Sequence, residues 1–174
     1  MIRVVLSSPG QVEAEGLLRP VSGELEPVTS EGSRLGSEAG EDVLERLRRV
    51  GSLPVGGAVI TPGGALTARY FIHVVIQSQD EPVTVSGVGR ALVNGLRRAE
   101  EWGLERLALP PLGTGAGSLE AEASAGIMVE TIREHLVRAH YPREVIVAVA
   151  SDYEQDAFRR EVERAGFGTA TNGS

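Results

Sequence analysis

The stretch Leu107–Leu136, LALPPLGTGAGSLEAEASAGIMVETIREHL, constrains the fold more than any other part of the chain. It reads as a short apolar strand, a glycine-rich loop and an amphipathic helix. Ala121, Ala125, Met128, Val129, Ile132 and Leu136 recur at helical spacing and form one apolar face. A strand that runs directly into such a helix is half of a β-α-β crossover, which implies parallel pairing. Gly113, Gly115 and Gly117 let the backbone take left-handed conformations and approach a ligand closely. Ser118 is the expected helix cap, with the loop N–H groups and the positive helix end facing one point. Such a loop suits an anion, most often a phosphate, although tight strand-to-helix geometry alone also calls for glycine.

Strand and helix patterns alternate along the rest of the chain. Ile2–Leu6 reads as an opening strand, turned by Ser7-Ser8-Pro9-Gly10. Leu17–Val21 is a second strand, weakened by Pro20. Residues 22–40 show no clear period and read as a functional loop or a surface segment. Ser37–Val50 turns helical, with Val43, Leu47 and Val50 on one face and Gly51 as the stop. Val55–Gly64 holds a strand between glycine pairs, and Phe71–Ile76 is a buried strand. A helix follows near Val88–Trp102, and Leu104–Leu109 leads into the glycine loop. Val145–Val149 is the last strand, and Ser151-Asp152-Tyr153-Glu154 is a capping box for a final helix. The expected fold is an α/β three-layer α/β/α sandwich around a central mixed sheet of six or seven strands, with the 107–109 strand internal. It fills residues 1–167 as one domain, with 168–174 as a flexible tail. Ligands in such folds favour the carboxyl ends of the strands.

The residue inventory narrows the chemistry. The 174 residues include no cysteine, and all 17 basic residues are arginine. Thiolate metal sites, cysteine nucleophiles, Walker-type loops and lysine Schiff bases are therefore excluded. The three histidines are His73, in the apolar run FIHVVI, and His135 and His140, late in a helix. His73 reads as a satisfied core histidine, and no spacing supports a metal site or requires a cofactor. A net charge of −7 argues against general binding to nucleic-acid backbones. No apolar run is long enough to span a membrane, and the first residues lack a signal-peptide core, so a soluble cytoplasmic protein is expected.

Three stretches resemble the macro domain family, whose members bind ADP-ribose. They are Val55–Ile76 (VGGAVITPGGALTARYFIHVVI), Leu107–Ala125 (LALPPLGTGAGSLEAEASA) and Val145–Phe158. The resemblance implies that Leu112, Gly113, Thr114, Gly115, Ala116 and Gly117 give N–H groups to a diphosphate and wrap the distal ribose. It places Thr29, Ser30 and Gly32 in a reduced first loop, Val28–Gly32. Ser8 stands where the family has an adenine-reading aspartate. Arg19-Pro20-Val21-Ser22 replaces the usual Asn-Ala-Ala-Asn, so the asparagine of hydrolytic members is absent. Ala150 occupies the usual adenine-stacking position, with Tyr153 as its substitute. Arg19 either meets a phosphate or pairs with the acidic loop.

The implied function is binding of ADP-ribose or a related nucleotide diphosphate, free or on an ADP-ribosylated macromolecule. The alternatives are hydrolysis of ADP-ribosyl or O-acetyl-ADP-ribose bonds by substrate-assisted water attack, and a fold with a lapsed nucleotide site. Any hydrolase activity is expected to be slow.

Overall fold

The computed structural model describes residues 1–115 and 118–167. Among these residues six strands form one sheet in the order β1-β6-β5-β2-β4-β3. They are β1 (Ile2–Leu6), β2 (Gly16–Ser22), β3 (Ala58–Pro62), β4 (Tyr70–Gln77), β5 (Arg106–Leu109) and β6 (Glu144–Val149). All neighbours pair in parallel except β3, which runs antiparallel to β4 at the sheet edge. Strand β5 lies between β6 and β2, so the strand that feeds the glycine loop is internal, as its apolar run implies. No helix among the described residues is long and apolar enough to cross a membrane.

Among the described residues five α-helices cover both faces: α1 (Ser30–Ala39), α2 (Glu41–Val50), α3 (Val85–Glu101), α4 (Ala121–Arg138) and α5 (Asp152–Arg164). The stripes of α3, α4 and α5 pack on one face against Leu18, Ile72, Val74, Val145 and Val147. Leu35 and Ala39 of α1 and Val43 of α2 pack on the other, against Leu17, Phe71 and Ala108. Alternation along each strand sends neighbouring residues into opposite layers. At Gly95, α3 lies so close to the sheet that a Cβ would stand 2.7 Å from Leu18 Cδ1.

Two segments differ from the sequence reading. Residues 22–40 hold the helix α1, whose Thr29 cap accepts from the Gly32 N–H. Its apolar face is only Leu35 and Ala39 beside Gly32 and Gly36, too sparse to show a period. The single helix expected over Ser37–Val50 is two, broken at Gly40 with φ 105°. Strand β2 is also stronger than Pro20 suggested. Its ladder with β5 covers Gly16 and Leu17 alone, leaving an unpaired flank where a residue without an N–H is tolerated.

Candidate functional site

The carboxyl ends of β1, β6 and β5 converge on a cavity of about 440 Å³. Leu6–Pro9 line it from β1, Ala148–Ala150 and Glu154 from β6 and α5, and Pro110 and Pro111 from the end of β5. Thr29 and Glu31 at the start of α1 face Thr114 and Gly115 of the glycine loop across the opening.

Internal bonds hold that loop in shape. Leu112 is fully buried; its N–H donates to Met128 Sδ at 3.2 Å and its carbonyl accepts from Ser124 Oγ at 2.7 Å. Gly113 sits at φ 82°, and its carbonyl accepts from the Leu119 N–H at 2.8 Å. A Cβ there would meet Val83, Val88 and Leu119 at 3.0–3.1 Å. Gly115 is exposed, and a Cβ on it would meet only Thr29 Cγ2 at 3.9 Å and the Val28 carbonyl at 4.0 Å. Leu112 and Gly113 thus carry the loop, while Thr114 and Gly115 present it to the cavity. Leu112 is not positioned to donate to a ligand, because its N–H is already engaged inside. Ala116 and Gly117 lie outside the described residues, as do residues 168–174. The cap of α4 is Glu120, without a side-chain bond, rather than Ser118, whose N–H turns back to the Gly115 carbonyl.

On the opposite wall, Thr29 caps α1, and this engages the Gly32 N–H at 2.9 Å. Gly32 is therefore structural, and the N–H groups of Ser30 and Glu31 remain at the helix end. Ser8 lines the cavity and donates from Oγ to Glu31 at 2.5 Å. Arg34 donates to both Glu31 oxygens, at 2.7 and 2.8 Å, and to Ser8 Oγ at 2.9 Å. Their hydrogen bond and charge raise the Arg34 pKa. Glu31 thus brings into the cavity a carboxylate of its own beside Ser8. The adjoining Pro9 carries no N–H to offer a base. The sequence places Glu31 in the reduced first loop Val28–Gly32 without implying its partners, because α1 is not legible there. Glu154 was legible through the capping box; it accepts the Ala150 N–H at 3.0 Å while Ser151 Oγ takes the Glu154 N–H.

Tyr153 stands apart from the cavity lining. It is 61% exposed, and its hydroxyl donates to the Glu122 carboxylate, which raises the Tyr153 pKa and lowers that of Glu122. Ser22, at the place of the family asparagine, lines a separate polar pocket with Gln77, Ser78 and Asp80. Arg19 forms no ion pair among those of the described residues and does not line the cavity. It is buried under α1, donating from Nε to His73 Nδ1 at 2.9 Å and from Nη1 to the Gly32 carbonyl at 2.8 Å. His73 is a satisfied core residue, and burial, then the Arg19 charge, holds its pKa well below the usual value.

A family model described as Macro domain matches residues 32–128. An uncharacterized protein of Sulfurisphaera tokodaii is 27% identical over 173 residues, covering 94% of this chain and 92% of its own. The Oceanobacillus iheyensis macrodomain with ADP aligns with a TM-score of 0.81 at 18% identity, covering 92% of this chain and 89% of that one. The Trypanosoma brucei macrodomain in complex with ADP aligns at 0.82 and 15% identity, covering 92% and 68% respectively. At such identities the structural likeness speaks for the fold.

Proposed function

The chain belongs to the macro domain family, and from that premise we propose that it binds ADP-ribose or a related nucleotide diphosphate, free or attached to a macromolecule. The observation that carries this reading is the facing of Gly115 and the Thr29-capped end of α1 across one cavity. Backbone N–H groups at a helix start and at an open glycine supply directed donors without a lysine. The similar macrodomains of Oceanobacillus iheyensis and Trypanosoma brucei are solved with ADP. The diphosphate lies between Ser30–Glu31 and Thr114–Gly115, and the base lies toward Ser8, Pro9 and Ala150.

Base discrimination is weak in this reading. Pro9 offers no N–H, Ala150 offers no ring, and Glu31 already accepts from Ser8 and Arg34. Losing a charge-assisted acceptor costs roughly 1.5–3 kcal/mol, a factor of about 10 to 100. The test is a calorimetric screen with ADP-ribose, ADP, AMP, UDP-sugars and NAD. Saturable binding of the diphosphates with little preference among bases supports the reading, and a hundredfold preference for adenine over uracil overturns its base assignment. Silence from every nucleotide leaves the lapsed site as the answer.

A further inference from the structure

The cavity poses an electrostatic problem for any anion. Its titratable lining residues are Glu31 and Glu154, both acidic, and the neighbouring arginine, Arg34, is engaged by Glu31. A positive charge lies instead behind the wall. Arg19 is 1% exposed and sits beneath the first half of α1. Burial lowers its pKa to about 10, so it remains a cation at neutral pH. The described ion pairs include no carboxylate for it, and Nη2 is buried without a partner.

We propose that Arg19 is a positioning residue for the anion, holding the first turn of α1 and giving that helix end the positive charge the cavity wall lacks. The inference rests on the diphosphate reading above.

The guanidinium is fixed from three sides. Its Cζ lies 4.8 Å from the Phe71 ring centroid, and its Nε donates to His73 Nδ1. Accepting at Nδ1 places the histidine proton on Nε2, which faces Thr61 Oγ1 at 3.0 Å. The third side is α1: Nη1 donates to the Gly32 carbonyl, and the Gly32 N–H donates to Thr29 Oγ1 on the cavity rim. The charge is thus two hydrogen bonds behind the rim. Gly36 leaves the guanidinium room under α1: a Cβ there would stand 2.7 Å from Nη1 and require a shift.

Burying an unpaired cation is costly, and a cation under the start of a helix also opposes the helix dipole. Both penalties diminish when an anion docks at that helix end. No carboxylate among the described ion pairs cancels it, so the Arg19 field adds to that of the Ser30 and Glu31 N–H groups.

Two variants test this. Arg19→Gln removes the charge but keeps a donor for Gly32, and His73→Glu cancels the charge in place by giving Arg19 a carboxylate. Calorimetric affinities are read for ADP-ribose, for inorganic pyrophosphate and for uncharged adenosine, with circular dichroism and thermal melting reporting folding. One buried charge two hydrogen bonds behind the rim, at intermediate dielectric, corresponds to roughly tenfold in affinity. The expected result in each folded variant is about tenfold weaker ADP-ribose and pyrophosphate binding with adenosine unchanged. Wild-type pyrophosphate affinity in either folded variant overturns the proposal, as does equal weakening of adenosine, which marks a purely structural role. If the wild-type protein itself binds neither ADP-ribose nor pyrophosphate, the diphosphate reading fails and this inference fails with it.

Discussion

Gly115→Glu separates ligand binding from folding. Gly115 is exposed and is not among the glycines at positive φ. A Cβ there makes only ordinary contacts at 3.9 and 4.0 Å, so the backbone accepts a side chain. A surface substitution of this kind changes stability by about 0.5 kcal/mol at most, or roughly 2 °C in Tm for a chain of this size. The same Cβ points toward Val28 and Thr29, across the gap assigned to the diphosphate. A carboxylate in that gap blocks two charge-assisted N–H bonds, each worth about 1.5–3 kcal/mol. It adds Coulomb repulsion of about 1 kcal/mol per charge pair at ~4 Å in water. The total of about 4 kcal/mol or more corresponds to at least a thousandfold in Kd. Calorimetry with ADP-ribose measures the affinity and scanning fluorimetry the midpoint. An ADP-ribose Kd within about threefold of wild type, in a folded variant, refutes the placement of the diphosphate.

Gly113→Ala should do the reverse, destabilising the protein by roughly 1–3 kcal/mol because φ is 82° and three side chains already crowd the site; an unshifted urea midpoint contradicts this. Because native His73 stays neutral while the unfolded chain protonates it near pH ~6.5, stability falls as pH drops below that value, by up to about 1.4 kcal/mol per pH unit from this group. His73→Gln should flatten the profile between pH 7 and 5, and an unchanged slope assigns it to other groups. Release of ADP-ribose from mono-ADP-ribosylated protein or O-acetyl-ADP-ribose should be slow or absent, since Ser22 lines a different pocket and His73 is sealed in the core. Turnover faster than about one per second, within the ordinary enzyme range, contradicts that reading and directs attention to Glu31.

The α/β/α architecture was legible because its signals are local and strong. The runs at β4 and β6 are continuous in apolar residues, and α3 and α4 carry full stripes. Helix α1 was hidden because two glycines occupy its inner face, one of them making room for a guanidinium. The glycine loop was visible as a loop, but not its division of labour. Which N–H turns inward depends on Met128 and Ser124, a helical turn or more away in sequence. Arg19 was the hardest to place. Nothing in the run Leu17-Leu18-Arg19-Pro20 says whether a lone arginine faces solvent, a ligand or the core. Its burial follows from His73 and Gly36 being brought beside it by β4 and α1. Position alone puts Tyr153 at the base, yet the exposed first turn of α5 turns its hydroxyl to Glu122.

In the proposed binding mode a diphosphate lies between the start of α1 and the open end of the glycine loop. Amide chemical-shift mapping during an ADP-ribose titration tests it most directly. Saturable shifts are expected to be largest at Ser30, Glu31, Thr114 and Gly115, with little change at Ser22, Gln77 and Ser78. Saturable shifts confined to the Ser22–Asp80 pocket, or none up to millimolar ligand, would contradict it.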